Sequence, residues 1–126
     1  MEKCNCKVLI VEDDLFLANI YRAKLEQDGF QIRIAHGGGQ GLQAFDEFSP
    51  DIVLSEVVLA GTDGFELLNE LRGKASRPVR FVFLTKLGER EDVSRGLGLG
   101  VDAYFIKTQV TFKEVVQKLK ELAACL

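Results

Sequence analysis

Two rhythms of apolar residues run along the chain. Mostly apolar runs at residues 7–11, 51–55, 79–84 and 103–106 read as buried strands, and the alternating stretch 30–35 as a strand exposed on one face at a sheet edge. Between them apolar residues recur at helical spacing. Leu17, Ile20, Tyr21 and Leu25 mark a helix between Asp14 and Asp28 that Gly29 stops. A glycine-rich turn opens a weak helix through Leu42, Phe45 and Phe48, closed by Pro50. Asp63-Gly64 starts a helix with Phe65, Leu68 and Leu71 inward and Gly73 at its end. Residues 89–99 make a poor helix, because Gly96 and Gly98 each cost about 1 kcal/mol against alanine. Thr111 and Glu114 form a capping box for a last helix carrying Phe112, Val115, Val116, Leu119 and Leu122 on one side.

Strand and helix therefore alternate five times, an α/β pattern of the (βα)₅ type. Strands separated by helices must run parallel with right-handed crossovers. The economical solution is a doubly wound, flavodoxin-like, five-stranded parallel sheet in the order 2-1-3-4-5. The expected organisation is an extension over residues 1–6, one domain over 7–124 and a tail at 125–126.

With 126 residues, 47% hydrophobic and 28% charged, the chain builds one globular core. A net charge of −3 leaves no basic field for direct nucleic-acid binding or for an anionic membrane. No apolar run reaches membrane-span length, and the start is too poor in hydrophobes for a signal peptide, which predicts a cytoplasmic location. Cys4, Cys6 and Cys125 lack the partners of a metal site and read as reduced, idle thiols.

The chemistry sits where the strands end. The first strand runs into Glu12-Asp13-Asp14, the third into Glu56, the fourth into Thr85 and the fifth into Lys107. In the predicted order these residues gather at the carboxyl edge of the sheet, with Glu12, Asp13 and Glu56 facing one another. Two ionised carboxylates about 4 Å apart repel by roughly 4 kcal/mol at an effective dielectric of 20, so the group calls for a cation, an ammonium or a raised pKa. Mg²⁺ suits such an all-oxygen set. Lys107 can offer a point charge, and Thr85 a hydrogen bond, to a phosphoryl group. Asp14 reads simply as the N-cap of the first helix. A rival motif, G-x-G-x-x-A at residues 39–44, matches a dinucleotide fingerprint but lies in the second turn, with no acidic residue at a strand end about 20 positions later. His36 beside it reads as a loop residue. An FMN site is disfavoured because the first turn offers acids that repel phosphate.

From residue 7 to about 122 the chain resembles the receiver domain of two-component response regulators, similar to the chemotaxis regulator. The acidic opening after Val8–Val11, the segment Pro50 to Glu56 followed by Gly61, Asp63 and Gly64, the pair Leu84-Thr85 and the stretch Tyr104 to Lys107 carry the resemblance. It implies Mg²⁺ bound by Glu12, Asp13, the acceptor carboxylate and the carbonyl of Val58. It implies Thr85 and Lys107 as catalytic contacts to the phosphoryl group, and Thr85 and Tyr104 as a switch reshaping the surface of the fourth helix, fifth strand and fifth helix. Such a domain is a signalling module rather than an enzyme. Its expected partners are a histidine kinase or phosphotransfer protein and a downstream protein target, and its expected state is a monomer or weak homodimer.

The chain departs from the family pattern at the acceptor, where Glu56 stands in place of aspartate. The extra methylene advances the carboxylate by about 1.5 Å. Misplacement near 1 Å can cost on the order of a hundredfold in rate. Two readings follow: a phosphoryl acceptor with Glu56 at the acceptor position, or a phosphorylation-independent pseudo-receiver acting as a protein-interaction module. Ala60, Lys86 and Thr108 also depart from the pattern, the last where the family has a proline.

Overall fold

Strand side chains alternate between two faces, and here that alternation divides the core in two. The computed structural model describes residues 5–124. Its elements are β1 (Lys7–Val11), α1 (Leu15–Gln27), β2 (Gln31–Ala35), α2 (Gly38–Phe48), β3 (Ile52–Ser55), α3 (Gly64–Lys74), β4 (Arg80–Thr85), α4 (Arg90–Gly98), β5 (Ala103–Ile106) and α5 (Phe112–Ala124). The strands form one parallel sheet in the expected order, β2-β1-β3-β4-β5. Val8, Ile10, Ile52, Leu54, Val82 and Leu84 pack with α1 and α5. Leu9, Val11, Val53, Phe81 and Phe83 pack with α2 and α3 on the opposite face. Cys6 is buried with the first group, while Cys4 and Cys125 lie outside the described residues.

Helix ends are set by local chemistry. Asp14 caps α1, its side chain accepting from the amide of Leu17 at 3.1 Å. The other end closes as a Schellman motif: Gly29, at φ 98°, donates to Glu26, and Phe30 donates to Leu25. That use of the Phe30 amide explains why β2 begins at Gln31 rather than at residue 30. The capping box of α5 is complete, with Thr111 and Glu114 exchanging hydrogen bonds at 3.0 and 3.1 Å. Phe112 departs from the expected inward row. It is 38% exposed and tilts against Tyr21 with ring centroids 4.7 Å apart.

Three other boundaries differ from the sequence reading. The strand β4 runs from Arg80 through Thr85, so the threonine is itself part of the ladder, and β3 starts at Ile52 rather than at residue 51. The helix α3 continues past Gly73 to Lys74, since Gly73 stands in open space and adopts no left-handed backbone. Two of the three glycines of α2 answer to packing. Gly38 lies beneath Thr62, and a Cβ on Gly41 would touch Leu67 and Val11 at 3.4 Å.

Register positions the site. Val11 pairs with Ser55 and Thr85 with Ile106, so Glu12, Glu56, Thr85 and Lys107 leave the sheet at the same edge. Behind Glu56, the amide of Gly64 donates to the Val57 carbonyl at 2.7 Å. A Cβ at Gly64 would stand 2.6 Å from the carbonyl oxygen of Glu56 and 2.8 Å from Cα of Val57, both of them backbone. We expect Gly64→Ala to lose about 2 kcal/mol of stability, read as a lower urea midpoint at unchanged slope.

Candidate functional site

Four of the predicted side chains meet. Glu12, Glu56 and Thr85 are buried, at 5%, 4% and 0% exposure. Lys107 reaches across from the end of β5, its Nζ 2.8 Å from Oε1 of Glu12 and 2.9 Å from Oε2 of Glu56. The other oxygen of Glu56 accepts from the amides of Val57 at 2.7 Å and Val58 at 3.1 Å, and from the hydroxyl of Thr85. Glu12 accepts from the amide of Asp14 at 3.1 Å through its second oxygen. Each carboxylate oxygen of the pair therefore has a donor.

Burial alone would push the Glu56 carboxyl up, but the Thr85 hydroxyl, the Lys107 ammonium and the Val58 amide outweigh it and hold the pKa below 4.5. Burial likewise disfavours the charged form of Lys107, and the hydrogen bonds and charges of Glu12 and Glu56 reverse that and raise it above 10.5. Glu56 and Lys107 are thereby held in their charged forms, with Glu12 the second carboxylate on the Lys107 ammonium.

Thr85 continues outward. Its Oγ1 accepts from the amide of Leu87 at 3.2 Å, and the carbonyl of Leu87 accepts from the hydroxyl of Tyr104 at 2.9 Å. The Tyr104 ring meets Phe83 edge-on at 5.9 Å, and Phe83 meets Phe65 at 5.4 Å. Burial, then the charges of Asp92 and Glu56, push the Tyr104 hydroxyl up to about 12.

The expected convergence of three carboxylates is not what the structure shows. Asp13 is exposed, and its Oδ1 lies 4.0 Å from where a Cβ on Gly37 would stand, at the start of α2. Among the described residues no three acidic, histidine or cysteine side chains are grouped to hold a metal. Hard oxygen donors are present, but Glu12 and Glu56 are committed to Lys107, so this donor set does not fit Mg²⁺ unless Lys107 leaves. Val58 contributes an amide to Glu56, a role different from the carbonyl ligand that the resemblance implies. The amide of Val57 and the carbonyl of Leu87 were invisible in the sequence, because backbone groups carry no residue signature. His36 lies 3.5 Å from the carbonyl of Glu12, in the loop where it was expected.

A family model described as the response regulator receiver domain matches residues 8–120. The chain belongs to this family. Solved receiver domains superpose on it closely. The Francisella response regulator 1452 receiver domain is 26% identical at a TM-score of 0.86, with 96% of this chain and 98% of that one covered. A CheY-like receiver domain protein from Methanospirillum hungatei is 27% identical at 0.85, covering 95% and 94%. The BeF₃-activated receiver domain of Klebsiella pneumoniae RstA is 25% identical at 0.83, covering 93% and 97%. Receiver domains are signalling modules rather than conventional enzymes, they interact with histidine kinases or phosphotransfer proteins, and they generally bind Mg²⁺. In this receiver domain no helix among the described residues is long and apolar enough to cross a membrane.

Linkage gives the site a pH signature. A carboxyl held below 4.5 in the folded state contributes stability that is present above the unfolded value and is lost as pH falls through the folded one. Lys107, raised above 10.5, contributes stability that is present below that value and is lost as pH rises through the folded one. Urea unfolding of wild type and Glu56→Gln from neutral to acid pH is expected to show a wild-type advantage that shrinks once pH falls below about 4.5.

Proposed function

We propose that this receiver domain is a signalling module whose state is set by the carboxylate of Glu56 in place of a transferred phosphoryl group. One observation carries the reading: the two oxygens of Glu56 occupy the Val57 and Val58 amides, the Thr85 hydroxyl and the Lys107 ammonium. These are groups that an acyl phosphate at this position would need for its own oxygens. The donors on Oε1 number three, and Oε2 is held by the Lys107 ammonium, so an incoming phosphorus would have to compete with these bonds for Glu56. The mimicry is partial, because a carboxylate carries one negative charge where a phosphoryl group carries nearly two.

In this reading Glu12, Glu56 and Lys107 hold the charge centre, Thr85 and Tyr104 are the switch, and the surface of α4, β5 and α5 meets a downstream protein target. A histidine kinase or phosphotransfer protein is then a docking partner, the domain acts as a monomer or weak homodimer, and it works in the cytoplasm. The competing reading, transfer to Glu56, draws on the intact Glu12, Thr85 and Lys107.

Intact mass after incubation with a small phosphodonor and Mg²⁺ decides between them. The wild-type chain is expected to stay unmodified, and Glu56→Asp is expected to gain one phosphoryl mass. A wild-type adduct that vanishes in Glu56→Gln would establish transfer instead.

Mg²⁺ is expected to bind weakly, at millimolar concentration, since it competes with Lys107. Lys107→Ala leaves Glu12 and Glu56 unpaired, a loss of about 3–5 kcal/mol for a broken buried pair. Millimolar Mg²⁺ should then raise the melting temperature of Lys107→Ala and leave that of wild type nearly unchanged. Equal shifts in the two would remove the competition.

A further inference from the structure

The geometry points to Gly96 as the positioning residue that seats α4 on the ring of Tyr104, so that α4 docks fully only while that ring lies inward. This rests on the reading of Thr85 and Tyr104 as the switch and adds the element that reads it.

The helix α4 is attached unusually. Gly96 is its one buried residue, and its exposed face includes Leu97 at 55%. Apart from Gly96 the residues of α4 are exposed or, like Asp92 and Val93, only half-buried, and the Arg95 guanidinium lies 4.5 Å from the centre of the Phe65 ring. A Cβ at Gly96 would stand 2.5 Å from Cδ2 and 2.7 Å from Cε2 of Tyr104. It would meet Phe65 only at 3.6 Å, an ordinary contact. The missing side chain of Gly96 is therefore a notch shaped to one ring. The neighbouring Gly98 faces open space. Two glycines that look alike as helix weakeners have different duties.

The notch completes a line of contacts from the charge centre. Thr85 donates to Glu56 and accepts from Leu87, Leu87 accepts from Tyr104, and the Tyr104 ring fills the space left by Gly96. Contact along a line does not by itself establish coupling, and the coupling is measurable.

Tyr21 and Tyr104 are the two tyrosines of the chain, so Tyr21→Phe leaves Tyr104 as the sole reporter. Alkaline titration of tyrosinate absorbance then follows its hydroxyl, which faces Asp92 on α4 and Glu56 beyond β3 and is pushed up to about 12. In that background Gly96→Ala is expected to expel the ring, bring its titration back toward the ordinary 10.0 while the domain is still folded, and speed amide exchange across α4. Gly98→Ala, in the same helix, should leave the titration where it was. A Gly96→Ala titration still at about 12 would overturn the inference.

If Gly96→Ala folds poorly, it is placed on Tyr104→Ala. Without the ring the added methyl should raise the urea midpoint of Tyr104→Ala, since alanine is the better helix former, and an equal loss with and without the ring would overturn the notch. Glu56→Gln separates this inference from the reading of Glu56. An unmoved Tyr104 in that variant, beside a moved one in Gly96→Ala, keeps the notch and removes the hold of Glu56 on it.

Discussion

One ammonium holds the carboxyl edge of this sheet together. Glu12 and Glu56 are almost wholly buried side by side, and Lys107 is within 3 Å of both. Without it the two carboxylates repel and one must take up a proton. Burying three charges costs several kcal/mol per ion, and only saturated geometry offsets that. The geometry here is saturated. The donors come from the turn after β1, the loop after β3, the end of β4 and the end of β5. A single triad therefore fixes four separate loop conformations, and any event at the edge must act through it.

Thr85 turns that fixed centre into a directional contact. Its hydroxyl has one proton, and the proton goes to Glu56, so the oxygen is left to accept from the Leu87 amide. The start of the loop leading to α4 is thereby tied to the charge centre, and Tyr104 ties the same loop to β5. Beyond it lies a helix of nine residues with one buried position. Elements with little buried surface occupy the low-stability end of a fold and are the ones that move. On the proposed reading, rigid centre and lightly seated helix are the two halves of the switch.

Most of this was readable from residue pattern. Element order, sheet order and the meeting of Glu12, Glu56, Thr85 and Lys107 follow from strand ends in a doubly wound topology, because register carries side chains to an edge whatever their identity. Asp13 was not placed correctly, since a doublet of acids after a strand does not say which member turns inward. In this fold Glu12 does, bonded to the amide of Asp14, and that leaves Asp13 outside. The backbone donors of Val57 and Val58 lay beyond the reach of any residue pattern. Gly96 was visible, but its contact with the Tyr104 ring was not. Helix propensity gives glycine the same cost at any interior position, and only tertiary packing shows that a Cβ at Gly96 would meet a ring while one at Gly98 would meet nothing.

The length of one side chain carries the functional argument. An aspartate at position 56 would end about 1.5 Å short of the glutamate carboxylate, given one C–C bond fewer. From there it could not reach the Val57 amide, the Thr85 hydroxyl and the Lys107 ammonium together, and the space between them would await another anion. Glutamate fills that space with its own oxygens, at the distances of ordinary charge-assisted bonds. On the proposed reading the scaffold around the site is unchanged and only the supplier of the charge differs. A visiting phosphoryl group makes a reversible signal, whereas a resident carboxylate makes a standing one. What remains adjustable is then the seat of α4 and whatever protein binds there.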